Sequence, residues 1–161
     1  MPFDAANPFD TIDLRILREL QTDASLSNVA LAKRVHLSPS PCLARVKALE
    51  ANGLIQQYVA LLNPQQLGLS LNVFISICLK QQTRTTLDAF EAKIAAREEV
   101  MECYLMSGEA DYLIRVVMPD ITALERFITE QLSPMKEVEK IRSSFALKQV
   151  RYKTALPLQA C

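Results

Sequence analysis

Two stretches of this 161-residue sequence carry side chains whose types and spacing could do chemistry. The first holds Lys33, Arg34, Arg45 and Lys47 with no carboxylate among them before Glu50, and Ser38, Ser40 and Pro41 lie in its middle. Cations so grouped bind phosphate by charge, Arg can address guanine edges, and Ser hydroxyls and helix N–H groups can also hold phosphate. The second is Leu105-Met106-Ser107-Gly108-Glu109-Ala110-Asp111-Tyr112. Gly108 lets backbone N–H groups approach an anion closely, while Glu109 and Asp111 can accept hydrogen bonds from an ammonium. Together they suit the two charged ends of a free amino acid, although an ordinary hairpin turn accounts for the same residue types. No nucleophile stands beside a base and no Gly-rich phosphate loop is present, so the chain reads as a non-enzyme. The single His, His36, and the widely spaced Cys42, Cys78, Cys103 and Cys161 give no zinc-binding pattern, and no cofactor is expected.

The basic stretch sits on two short helices. Ser27 can cap a helix over Asn28 to Val35, with Leu26 and Leu31 spaced as a hydrophobic staple. Ser38 repeats the arrangement with Pro39 at the first helical position, Leu37 and Cys42 as the staple, and Gly53 as the stop. So short a connection forces the helices to cross steeply, as in a helix-turn-helix whose second helix enters the DNA major groove by its N-terminal end. A helical pair with a solvated basic face is the other reading of the same spacing. Asp10 can cap a helix whose Ile12, Ile16, Leu17 and Leu20 cover the back of the pair. Leu54 to Leu62 is rich in strand formers and reads as a wing or connecting strand.

Asn63 to Gly68 carries turn formers, and the domain boundary falls there: residues 1–62 form a DNA-binding domain with its connecting strand, 63–69 a linker, and 70–161 a second domain. In that domain Leu71, Val73, Ile75, Ile77 and Leu79 alternate on a strand with one buried side. Thr86 can cap the next helix, with Leu87, Phe90 and Ile94 at helical spacing. Strands over Val100 to Met106 and Tyr112 to Met118 should make a hairpin around the acidic turn. Asp120 caps a helix carrying Ile121, Leu124, Phe127, Ile128 and Leu132, and a strand over Val138 to Phe145 follows. The order strand, helix, strand, strand, helix, strand predicts a ferredoxin-like βαββαβ sheet with both helices on one face, so the fold class is α+β behind a winged helix-turn-helix. The other face, with Phe74, Tyr104 and Met106, is left for a second copy of the chain.

Half the residues are hydrophobic, enough for real cores, and no apolar run could span a membrane. The opening residues lack the basic and apolar regions of a signal peptide, which with unpaired cysteines predicts a cytoplasmic, nucleoid-associated protein. The net charge is zero. In residues 1–62 the acids Asp4, Asp10, Asp13, Glu19 and Asp23 all precede the basic stretch, so a neutral domain can present one basic face.

Leu-Ser-Pro-Ser-Pro-Cys-Leu-Ala-Arg-Val-Lys-Ala-Leu-Glu at 37–50, followed by Gly-Leu-Ile, resembles the DNA-binding domain of the Lrp/AsnC family of bacterial transcription regulators. Residues 100–118 and Phe145 to Leu158 resemble the family's regulatory domain, with the tail most similar to leucine-responsive and branched-chain catabolic members. The resemblance implies contacts to double-stranded DNA from Lys33, Arg34, Ser38, Ser40, Pro41, Arg45 and Lys47. It also implies sheet-mediated dimers, assembly toward octamers, and a small apolar amino acid such as leucine bound between subunits near residues 105–112. Gly108 and neighbouring backbone would hold the carboxylate and Asp111 the ammonium, with Leu105, Met106 and Tyr112 lining the pocket. Three positions depart from the family: His36 stands where relatives usually have Gly, and Ala44 and Ala48 where many carry Arg, so no operator sequence is carried over. An architectural DNA-binding protein without an effector is the alternative function.

Overall fold

The computed structural model describes residues 9–158, which divide into two compact units: residues up to Leu61 together with those from Arg151, and Leu62–Val150. The first unit holds α1 (Thr11–Thr22), α2 (Asn28–Arg34) and α3 (Pro39–Ala51). Asp10 caps α1 through bonds from the Ile12 and Asp13 N–H groups, and Asp13 returns a bond to the Asp10 N–H, closing a capping box. Ser27 caps α2 by accepting from the Ala30 N–H. The core joins Leu14, Ile16, Leu17, Leu31, Ala32, Val35, Cys42 and Leu49, with the staple residues Leu26 and Leu37 packed against it. Burial pushes the Cys42 thiol up from its ordinary value, which keeps it protonated and unreactive.

His36, in the turn between α2 and α3, has φ +60°, the only non-Gly residue with positive φ among those described. A Cβ in the left-handed region costs about 1 kcal/mol, and Gly avoids it. His36→Gly is therefore expected to raise the melting midpoint of this unit by about 4–8 °C in scanning calorimetry. An unchanged or lower midpoint would mean that the imidazole makes a compensating contact.

Residues 54–62, expected as a strand, form no ladder among the described residues, and Val59 and Leu62 are 61% and 70% exposed. Strand propensity records fitness for a pleated surface, and within one chain no neighbouring strand supplies that surface. Within the described residues, those from Arg151 group with the helices. Leu158 packs on the helical core, its carbonyl accepts from Arg18 Nη2 at 3.0 Å, and the Gln21 amide brackets the Leu156 backbone, accepting its N–H at 2.6 Å and donating to its carbonyl at 3.4 Å.

The second unit is a four-stranded antiparallel sheet in the order β2-β3-β1-β4, built from β1 (Leu71–Leu79), β2 (Val100–Leu105), β3 (Tyr112–Met118) and β4 (Val138–Phe145). Val73, Ile75, Ile77 and Leu79 are fully buried, as their alternation predicts. They pack with Tyr112, Ile114, Val116, Phe90 and Ile94 and with Leu124, Phe127 and Leu132. The helix α4 (Arg84–Ala95) is capped by Thr83, three residues before the expected Thr86. Thr86 is the recipient: its N–H donates to Thr83 Oγ1, and the two hydroxyls lie 2.7 Å apart. Asp120 caps α5 (Ile121–Arg126), which widens into a π-helical turn over Phe127–Leu132 closed by the Ser133 N–H on the Ile128 carbonyl. On the face opposite this core, Phe74 pairs with Arg115, Arg115 binds Glu102 at 2.7 Å, and Tyr104 donates to Glu102. That face is mixed in polarity, with Tyr104 51% exposed.

Candidate DNA-binding and effector sites

The start of α3 follows from its prolines. Ser38 is the N-cap residue, yet its hydroxyl makes no capping bond. A cap accepts from the second or third helical N–H, and Pro41 at the third position has none. Ser38 and Ser40 are exposed at the N-terminal end of α3, the end by which the second helix of a helix-turn-helix enters a major groove. Asn28 ties this end to α2 by donating to the Pro39 carbonyl at 2.8 Å.

The cations divide into two groups. Lys33 and Lys47 are exposed. Arg45, expected at a base edge, instead points to the start of α1, where Nη1 lies 2.7 Å from both an Asp10 and an Asp13 carboxylate oxygen. Asp10 is held below its ordinary value, first by the Asp13 N–H and further by Arg45. Arg34 bonds Glu19 of α1 at 3.0 Å, with both side chains substantially exposed. The acids of α1 therefore do more than precede the basic stretch, since they occupy its two arginines. Spacing along the chain gave no sign of this, because Arg45 and Asp10 meet only once α1 and α3 pack.

In the sheet unit the predicted effector residues separate into two settings. Met106 to Asp111 form the β2–β3 turn, with Gly108 at φ +146°, a left-handed value that Gly adopts without strain. Asp111 is already engaged: Oδ2 accepts the Leu79 N–H at 2.6 Å and the Gln82 amide at 3.4 Å. Its backbone N–H donates to the Ile77 carbonyl and its carbonyl accepts the Met106 N–H. The turn is thereby pinned to the end of β1, and Gln82 is a contributor that sequence spacing did not indicate. Cys78 Sγ adds a bond to the Glu109 carbonyl. Ser107 and Glu109 are exposed and Ala110 is half-buried.

Leu105 and Tyr112 line a cavity of about 400 Å³ between α4 and β2, with Glu91, Ile94, Val100 and Cys103 among its walls. Tyr112 is itself a core residue, its ring 4.6 Å from that of Phe90 and its hydroxyl donating to Glu91 at 2.6 Å. Burial, then the Glu91 bond, push the phenol well above its ordinary value. Burial, then the Glu91 carboxylate across the cavity, push the Cys103 thiol up from its ordinary value, so it stays protonated.

A helix-turn-helix that presents exposed lysines and serines, together with a ferredoxin-like unit that presents an acidic Gly turn, defines a DNA-binding regulator with a ligand-binding domain. Residues 9–56 match the sequence model described as winged helix-turn-helix DNA-binding, and residues 72–156 match the Lrp/AsnC ligand binding domain. The chain belongs to the Lrp/AsnC family, whose members are transcription regulators and not enzymes. It is 42% identical over 150 residues to the leucine-responsive regulatory protein of Salmonella typhimurium, covering 93% of this chain and 92% of that one. It superposes with a TM-score of 0.89 on a transcriptional regulator from Neisseria meningitidis solved as an L-Met complex, at 38% identity over 92% of this chain and 96% of that one. An AsnC family transcriptional regulator from Agrobacterium tumefaciens gives a TM-score of 0.88 at 40% identity, covering 92% and 97%. The chain is thus an effector-modulated DNA-binding transcription regulator. No described helix is long and apolar enough to cross a membrane.

Proposed function

We propose that the protein regulates genes of amino acid metabolism in the bacterial cytoplasm, at the nucleoid, in response to a small apolar amino acid such as leucine or methionine. The observation that carries this reading is the pinned Gly108 turn, on a fold shared with a regulator solved with L-Met. The effector carboxylate meets backbone N–H groups around Gly108, and its ammonium meets Asp111 Oδ1, the oxygen opposite the one that holds β1. Glu109 adds negative charge, and Leu105 and Met106 offer apolar contact. The assembly is a dimer through the helix-free sheet face and, beyond it, an octamer, with the effector bound between subunits. Effector binding favours one arrangement of the assembly and so changes how paired helix-turn-helix units match spaced half-sites.

On DNA, Ser38, Ser40 and Pro41 sit at the groove and Lys33 and Lys47 on phosphates. Arg34 exchanges its exposed Glu19 partner for a phosphate at little cost. Arg45 is left out of the contact set because two carboxylates already hold it.

The test is fluorescence anisotropy on DNA from upstream of the protein's own gene, with each of the twenty amino acids added in turn. Sequence-dependent binding that shifts with one or a few apolar amino acids is the expected result. Binding that none of them alters would replace this reading with that of an architectural protein.

A further inference from the structure

With 3.6 residues per turn, Ser40, Ala44, Lys47 and Ala51 form one stripe along α3, opposite the buried Cys42 and Leu49. All four are exposed. The stripe carries no guanidinium, since Arg45 lies off it and is held by Asp10 and Asp13. Lys47 stands two turns from the helix start. The side chain that follows Ser40 into a major groove is therefore the methyl group of Ala44, one turn along the face that meets base edges. A methyl group cannot accept or donate a hydrogen bond. The one base-pair feature it complements in that groove is the C5 methyl of thymine.

We propose that Ala44 is a specificity-determining residue that selects thymine by methyl–methyl contact, with Ser40 bonding the adjacent base or its phosphate. The consequence is an operator whose half-site carries a required thymine where an Arg-bearing helix would read guanine. This proposal rests on sequence-specific DNA binding through α3, and its test separates the two.

An operator is first selected from a random duplex pool with the full-length protein. Each thymine is then replaced singly by deoxyuridine, which removes only the methyl group, and affinity is read by anisotropy. One thymine per half-site is expected to respond, with about fourfold weaker binding, the equivalent of one buried methyl. Ala44→Gly should bind the unmodified operator about as weakly and no longer distinguish thymine from deoxyuridine there. Because Gly lowers helix propensity, Ala44→Arg provides a second reading: reselection with it is expected to replace that thymine by guanine. A selected operator in which no thymine responds, or a response that persists in Ala44→Gly, overturns the proposal while leaving the regulator reading intact. Failure to enrich any sequence overturns the DNA-binding reading and this proposal with it.

Discussion

Asp111→Ala is expected to destabilise residues 62–150 by about 1–3 kcal/mol, because it strips the acceptor from the Leu79 N–H at the buried end of β1 and leaves that donor unpaired. The same substitution is expected to abolish measurable effector binding, so alone it cannot separate a contact from a scaffold. Asp111→Asn does so. Its side-chain oxygen can still accept the Leu79 N–H, so the turn stays pinned, while the negative charge that attracts an ammonium is gone. Calorimetric titration with the responding amino acid should then show at least tenfold weaker binding at nearly wild-type thermal stability. Unchanged affinity in Asp111→Asn would remove the ammonium contact and leave Asp111 a structural role only.

Arg45→Ala should lower the melting midpoint of the helical unit by about 4–8 °C, equivalent to about 1 kcal/mol once solvent screening of a partly exposed pair is allowed for. DNA affinity should fall by the same factor on an operator and on scrambled DNA, since the lost contact fastens α3 to α1 and reads no base. The effect also depends on pH. Asp10 is depressed in the folded state, so its contribution is fully present above its ordinary value of 3.8 and is lost as the pH falls through the lower folded value. The stability gap between wild type and Arg45→Ala should accordingly be constant near neutrality and narrow in strong acid. A selective loss on the operator would return Arg45 to the base readers.

These two residues also mark how far the sequence could be read. Local signals survived folding: the caps Asp10, Ser27 and Asp120, the alternation of Val73 to Leu79, and the order of elements in the sheet all depend on neighbours a few positions away. The candidate site residues lie on the helices, strands and turn that the sequence predicts, but their partners were not foreseen. Arg45 looked free because its carboxylates lie on another helix, and Asp111 looked free because Leu79 and Gln82 lie across the sheet. The same limit explains the stretch 54–62, where propensity favours a strand but pairing requires a partner. Thr83 and Thr86 are equally suited to cap by residue type, and what separates them is where the backbone turns helical, at Arg84 after the extended Thr83. The π-helical turn at Phe127–Leu132 likewise shifts hydrogen bonds by one residue without disturbing the apolar spacing around it.

The return of the tail to the helices sets an order of events during synthesis. Residues up to Leu61 leave the ribosome while the segment with Leu156 and Leu158 is still unmade, and at typical elongation rates the interval is on the order of 5–20 s. During that time the helical core lacks the packing that Leu158 adds to it, and Arg18 and Gln21 lack their backbone partners. The nascent helix-turn-helix is therefore complete only after the whole ligand-binding unit has been translated. A transcript cut short, or a stalled chain, leaves the helical unit without the Leu158 packing and without the bonds that Arg18 and Gln21 make to the tail backbone.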